Sequence, residues 1–252
     1  MQNKEKASEV APYSALATYY DQVMEHVNYH QWANYIKILF RYSRRSVRRV
    51  ADISCGTGSL LRYLGGLMRK AYGFDLSPAM LKVAKNKLLH PRLACASFLH
   101  LPLKPLSMDC LLSLYDSVNY LQNEQEVALF LQETHRAIKP GGLLIFDVVT
   151  PYLCRTAFKH YEEDGLLDED NRYRRTSFFQ ENTFTQVNQF EIWINGHHYF
   201  EEHRQKIFEI EQWAQMIGKS RFKLLHIFSN FSLNPAHDRS ERAHFVLLKE
   251  SP

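Results

Sequence analysis

The sequence predicts an α/β fold: a mostly parallel sheet of seven strands with helices on both faces and the last strand antiparallel, plus an antiparallel β insert and an N-terminal helical lid. Three observations predict it. Between Val47 and Val149, short apolar runs alternate with segments of helical periodicity, the pattern of a parallel sheet covered by helices. After Thr150 the alternation gives way to stretches rich in strand formers. Ahead of Val47 lie two amphipathic helical stretches. A chain of 252 residues, 45% of them hydrophobic, suits one domain over 1–252, with 1–46 as the helical lid and 151–206 as an antiparallel insert expected to form the acceptor side.

The elements follow in order. Ser14–His26 and Gln31–Tyr42 are expected as helices; in the first, Leu16, Tyr19, Tyr20, Val23 and Met24 recur at helical spacing. Val47–Ile53 reads as a strand, Gly58–Met68 as a helix with Leu60, Leu61 and Leu64 on one face, and Lys70–Asp75 as a second strand. Ser77-Pro78 opens a helix to about Leu89, serine as cap and proline in the first turn. Arg92–Ala96 and Met108–Leu114 are strands. Glu124–Ile138 is a helix ended by Lys139-Pro140-Gly141-Gly142, and Leu143–Val149 is a continuous apolar strand. In the insert, Arg172–Thr185 and Gln186–Ile194 are strand-like, and Asn195-Gly196 supplies the two positive-φ residues of a type I′ hairpin turn into His197–Phe200. Glu209–Ile217 is a helix ended by Gly218. Phe222–Phe228 and Ala243–Lys249 close the sheet.

Composition narrows the class. The formal charge of +4 permits an acidic substrate or RNA without requiring either. Much of the excess sits in Arg41–Arg49, read as a solvated helix end and loop, with a phosphate patch as the lesser reading. The polar N-terminus is no signal peptide and no apolar run is long enough to span a bilayer. Four scattered cysteines, Cys55, Cys95, Cys110 and Cys154, form no CxxC pair and read as reduced thiols of a cytoplasmic protein.

The chemistry-bearing residues lie at strand ends. Asp52-x-Ser54-x-Gly56-x-Gly58 runs straight into a helix; glycines there allow close approach of a ligand. Asp75 ends the next strand about twenty residues later, where a carboxylate suits a ribose diol. Together they point to an adenosine site.

Beyond this, Val50-Ala51-Asp52-Ile53-Ser54-Cys55-Gly56-Thr57-Gly58 resembles motif I of the class I, Rossmann-like S-adenosylmethionine-dependent methyltransferases. Tyr72-Gly73-Phe74-Asp75-Leu76-Ser77-Pro78-Ala79-Met80-Leu81 resembles motif II, Leu101-Pro102-Leu103 the element after the adenine loop, and Ile138-Lys139-Pro140-Gly141-Gly142-Leu143-Leu144 the turn before the fifth strand. These stand in the family's order over about residues 48–148. Tyr13-Ser14-Ala15-Leu16-Ala17, with Tyr20-Asp21, is similar to the lid of small-molecule methyltransferases, among them bacterial sugar N-methyltransferases with an inserted antiparallel sheet. The resemblance implies S-adenosyl-L-methionine as cofactor. Asp52, Ser54, Gly56 and Gly58 would line its methionine part, Asp75 would hold the ribose, and Leu76 and Met80 would pack on the adenine. Ser97 and Phe98 would form the adenine loop, and Tyr115, after the fourth strand, and Tyr20, on the lid, would join the cofactor-binding residues. Two departures stand out: Ser54 replaces the first glycine of motif I, and Ser97 stands where many members carry an aspartate.

Methyl transfer needs a base only when the acceptor must first lose a proton, and no acidic pair announces one. Tyr13 and Tyr120 are the candidate catalytic residues, phenols suited to orienting an acceptor; in the similar sugar N-methyltransferases a histidine stands at the position of Tyr120. His100 and the His197, His198 and His203 group read as surface or strand residues rather than base or metal ligands, since His197 and His198 point to opposite faces. Trp193, Tyr199, Phe178 and Phe184 read as packing between insert and lid. The expected function is methyl transfer to a nitrogen or oxygen of a small-molecule acceptor, without metal or membrane and with the oligomeric state open. An RNA or tRNA methyltransferase using the arginine run, or a cofactor-binding regulator without turnover, remains as an alternative.

Overall fold

The computed structural model describes residues 7–65 and 70–251. Strand β1 (Ser8–Glu9) is followed by α1 (Tyr20–Val23), α2 (Tyr29–Leu39), β2 (Arg49–Asp52), α3 (Ser59–Gly65), β3 (Lys70–Asp75), α4 (Pro78–Lys87), β4 (Leu93–Cys95), β5 (Met108–Ser113), α5 (Glu124–Ala137) and β6 (Ile138–Val149). Then come α6 (Pro151–Thr156), β7 (His160–Leu166), β8 (Arg172–Gln180), β9 (Thr185–Ile194), β10 (His197–Lys206), α7 (Ile210–Gly218), β11 (Lys223–Ser229) and β12 (Arg242–Leu248).

Seven strands form the main sheet in the order β11-β12-β6-β5-β2-β3-β4, with β12 antiparallel to both neighbours and the other pairings parallel. The expected fold class is the observed one. Strand β6 shows why. Leu144, Phe146 and Val148 face one core, with Phe130 of α5 and Trp213 of α7; Leu143 and Ile145 face the other, with Ile36, Leu39 and Leu64. A strand covered on both faces is expected to be largely apolar, and from Leu143 to Val149 only buried Asp147 departs from that. The strand order reverses beside β2, between β3 and β5, so the carboxyl ends of these strands open a crevice there.

Several boundaries differ from expectation. The Ser14–His26 helix is broken into a 3₁₀ turn at Leu16–Thr18 and the single turn α1. The cause is Glu201 of β10, whose carboxylate collects the N–H groups of Tyr13, Ser14, Ala15 and Leu16 at 2.6–3.0 Å, doing from outside what helical carbonyls would do from within. Strand β6 starts at Ile138 rather than Leu143: Pro140-Gly141-Gly142 lies within it, at a register shift against β5. The expected end of the α3 helix, at Met68, lies outside the described residues.

The insert is a five-stranded sheet, β1-β10-β9-β8-β7. Asn195 (φ 52°) and Gly196 (φ 78°) make its expected tight turn. Two strands were not expected. β7 alternates exposed and half-buried residues too polar to read as a strand, and β1 adds itself parallel to β10, tying the lid segment to the insert. The short helix α6 was also not expected, although Thr150-Pro151 starts it as Ser77-Pro78 starts α4: each hydroxyl accepts an N–H three residues on.

Candidate active site

The crevice is built from the ends of four strands, β2, β3, β4 and β5. After β2 the chain turns through Ser54-Cys55-Gly56-Thr57-Gly58 into α3. Gly56 has φ 53° and open space where a side chain would stand. Gly58 has φ 75°, but its missing side chain points at Leu88 and Ala84 of the α4 region, 3.1 and 3.3 Å away. Of the two glycines expected to line a ligand, Gly56 opens onto the cavity, whereas Gly58 faces Leu88 and Ala84 and lets the turn pack against them. At the end of β3, Asp75 accepts the N–H of Gly56 at 2.8 Å and of Ser77 at 2.9 Å, which ties the two motifs together. Asp52 accepts the N–H of Ser54 at 3.2 Å. Burial raises both carboxyls. Asp52 is pushed up to about 7, with the charges of Asp75 and Asp147 adding to the effect. Asp75 is raised even though backbone N–H groups favour its charge. Two carboxylates held in this state are prepared for a ligand that brings positive charge and hydroxyl donors.

These residues open onto one cavity of about 360 Å³. Its walls include Asp52, Ser54, Gly56, Asp75, Leu76, Met80, Ser97, Phe98, Tyr115, Tyr13, Tyr20 and Tyr120, so all the residues singled out in the sequence except Gly58 meet there. The Ser97 hydroxyl accepts the N–H of Leu99 at 3.1 Å, which leaves its proton available. The sequence reading missed Tyr29 and Trp32, which also line the cavity. They lie three residues apart at the start of α2, on the side that carries buried Ala33, Ile36 and Leu39, and so read as ordinary core. No residue of 151–206 lines this cavity; Trp193 instead stacks on His198 and under Arg172.

The lid is fastened at two places. Asp21 of α1 accepts hydrogen bonds from Thr57 at 2.6 Å and Ser59 at 2.9 Å and pairs with Lys87, which itself donates to both hydroxyls. This latch joins the lid to the turn below Gly56. At the other end, the Tyr13 carbonyl accepts the Ser77 hydroxyl at 2.9 Å. Tyr13 is itself strained (φ 60°), as are Tyr115 (φ 60°) and Asp116 (φ 53°). Each such residue costs roughly 1–3 kcal/mol. Buried carboxylates hold them: Glu201 takes the Tyr13 N–H, and Asp147 takes those of Tyr115 and Asp116 at 2.7 and 3.0 Å.

At the lid end of the cavity the Tyr13 and Tyr120 hydroxyls lie 2.9 Å apart, and the Tyr120 hydroxyl is 2.8 Å from Nδ1 of His203. Nε2 of that ring is 3.3 Å from Oε2 of Glu201. Burial pushes both phenols well above their usual range, so neither ionises near neutral pH.

Comparison with known proteins decides what this constellation belongs to. The family described as a methyltransferase domain matches residues 51–146, the stretch that holds Asp52, Gly56, Asp75 and Tyr115. A putative methyltransferase of Geobacillus sp. strain WCH70 is 29% identical over 250 residues, covering 94% of this chain and 99% of that one. Residues 51–146 thus form a methyltransferase domain, and the relatives and the fold support a class I S-adenosylmethionine-dependent methyltransferase. Solved methyltransferases share its fold from end to end. An S-adenosylmethionine-dependent methyltransferase from Clostridium acetobutylicum superposes with a TM-score of 0.81 at 21% identity, covering 95% of this chain and 99% of that one. An amino pentose methyltransferase from Micromonospora echinaspora, involved in calicheamicin biosynthesis and solved with S-adenosylmethionine bound, gives 0.71 at 19% identity, with 91% and 96% covered. In this methyltransferase the open space at Gly56 and the inward-facing Asp52 and Asp75 fit that cofactor. No helix among the described residues is long and apolar enough to cross a membrane.

Proposed function

We propose that the enzyme methylates a nitrogen or oxygen of a small-molecule acceptor by in-line displacement. One observation carries this reading: the cavity is roofed by the enzyme's own lid, with Tyr13, Tyr20, Tyr29 and Trp32 over the strand ends. A site walled by a latched lid limits the access of water and suits an acceptor that fits inside it. A base within a folded RNA would have to be brought under the same latch. Among the solved structures that share the fold is an amino pentose methyltransferase, which favours this reading.

In this reading Asp75 accepts the ribose hydroxyls, while Leu76, Met80 and Phe98 pack the adenine and Ser97 donates to it. Asp52 faces the ammonium of the methionine part, with Ser54 and Gly56 beside it, and Tyr20 and Tyr115 close over it. Bound S-adenosylmethionine supplies a methyl group already activated on a sulfonium. The enzyme's share is to hold the acceptor in line and keep water out, effects together worth on the order of several kcal/mol. Tyr13 and Tyr120 stand where they can orient the acceptor atom.

The test is transfer of labelled methyl from S-adenosylmethionine into a deproteinised metabolite extract and, separately, into total RNA. Label in a small metabolite and none in RNA is the expected result. Label in RNA alone would overturn the reading.

A further inference from the structure

Tyr13 and Tyr120 cannot serve as bases themselves, yet they are the head of a buried polar chain that leaves the cavity and ends on a carboxylate in the insert. Strand β10 points Glu201, His203 and Gln205 inward at alternate positions, all buried, where an apolar row would be the ordinary choice.

The direction of every proton in this chain follows from its far end. Glu201 is 0% exposed and accepts four backbone N–H groups, from Tyr13, Ser14, Ala15 and Leu16. Burial works against its charge, but the bond from His203 and the N–H groups of Leu16 and Tyr13 outweigh it and hold the carboxyl below its ordinary value. An ionised carboxylate only accepts. Nε2 of His203 must therefore donate to it, which in the neutral ring leaves Nδ1 as an acceptor. The Tyr120 O–H then donates to Nδ1, and its oxygen is free to accept the Tyr13 O–H. All the chain's protons thus point away from the cavity, and the Tyr13 oxygen is left with lone pairs at the cavity wall.

We propose that Tyr13, Tyr120, His203 and Glu201 form a proton relay, and that the acceptor is one that gives up a proton on methylation, such as a hydroxyl. The proposal rests on the methyl-transfer reading above. As the acceptor atom bonds the methyl carbon and the carbon–sulfur bond breaks, its proton passes to the Tyr13 oxygen. The Tyr13 proton moves to Tyr120, and the Tyr120 proton to Nδ1 of His203. The sulfonium becomes a thioether, and the imidazolium is stabilised by the Glu201 carboxylate beside it. After product leaves, the same path returns the proton to solvent. His203 touches no acceptor; it is a positioning residue that acts through Tyr120.

Two measurements test this. The first needs no acceptor: a long-range ¹H–¹⁵N spectrum of imidazole-labelled enzyme with S-adenosylhomocysteine bound at neutral pH, the His203 ring being assigned by its loss in His203→Asn. The relay requires the neutral Nε2–H tautomer with bare Nδ1. An Nδ1–H tautomer or an imidazolium would overturn it. The second is the rate of methyl transfer into the metabolite extract at saturating cofactor. His203→Asn keeps an acceptor for Tyr120 but cannot take a proton. Its rate should fall by about a hundredfold or more, the usual worth of a positioned base, with affinity for S-adenosylhomocysteine within about twofold. Combining it with Tyr120→Phe should slow transfer no further, as for residues acting as one unit. If His203→Asn loses S-adenosylhomocysteine binding, His203→Gln replaces it. Unchanged transfer by a variant that binds normally would remove the relay and leave the methyltransferase reading standing. If the wild-type enzyme labels no small metabolite, the small-acceptor reading fails, and the tautomer spectrum still decides the relay.

Discussion

At the residue scale, the site is governed by carboxylates buried beyond what a stable core would choose. Asp75 is satisfied by the N–H groups of Gly56 and Ser77 and still raised by burial, so a ribose diol would add donors to a group that gains from them. We expect Asp75→Ala to weaken S-adenosylmethionine binding at least about tenfold, measured by calorimetry, since the diol would be buried without its acceptor. Asp52 gives a pH dependence. Its carboxyl titrates near 7 in the folded protein, against an ordinary value near 4, chiefly because of burial. The folded state thus binds more protons than the unfolded between these values, and stability falls as pH rises through that window. Binding of an ammonium has the opposite sign, because it favours the ionised form. Affinity for S-adenosylhomocysteine should rise from about pH 6 to about pH 8, by up to roughly tenfold per unit below 7, and Asp52→Asn should flatten the profile. The identities of Asp52 and Asp75 were legible in the sequence, because strand-end position and spacing mark them. Glu201 and His203 were not. Their partners are 80 to 190 residues away, and only the burial of alternate polar positions in β10 could have singled them out.

At the scale of elements, the lid is what the sequence misrepresented. Its helical spacing is real, but a periodic stretch forms a helix only if nothing else claims its N–H groups, and Glu201 claims four of them. The result is an irregular segment packed on the insert through Leu16, Tyr19, Tyr20 and Val23 and tied by polar contacts to the turn at Thr57 and Ser59. The latch at Asp21 is the accessible one. Burial opposes its charge, but Lys87, Thr57 and Ser59 together hold the carboxyl below its ordinary value. The latch is therefore fully made at neutral pH and is lost as pH falls through that depressed value. Asp21 is 40% exposed and Lys87 19%, so the pair is worth about 1 kcal/mol or less. Asp21→Asn should speed cofactor dissociation by roughly three- to fivefold in stopped-flow displacement, with little change in thermal stability. An unchanged dissociation rate would mean that the lid is held elsewhere.

At the scale of the whole molecule, the strand ends of the main sheet and the lid wall the cavity, and the insert sheet stands behind them. The main sheet was readable because each strand and helix carries its own periodicity and cap, and β6 is apolar on both faces as its position demands. The insert was readable at its hairpin, where Asn195-Gly196 dictates the turn, and unreadable at β7 and β1, whose strand character comes from pairing rather than composition. That pairing makes the lid and insert one body through β1 and Glu201, with the lid at the cavity wall and the insert sheet behind Tyr13 and Tyr120. The arginine run, too, is partly spent on the fold: Arg45 and Lys139 pair with buried Asp109 at the foot of the sheet. We expect this one cavity to hold the cofactor, with its adenosine end at Asp75 and its methyl directed at Tyr13 and Tyr120. The decisive measurement is a crystal structure with S-adenosylhomocysteine bound. Both ribose hydroxyls should lie within hydrogen-bond reach of the Asp75 carboxylate, with the thioether sulfur facing the two phenols. A ligand found elsewhere, or bound here with its ribose away from Asp75, would contradict it.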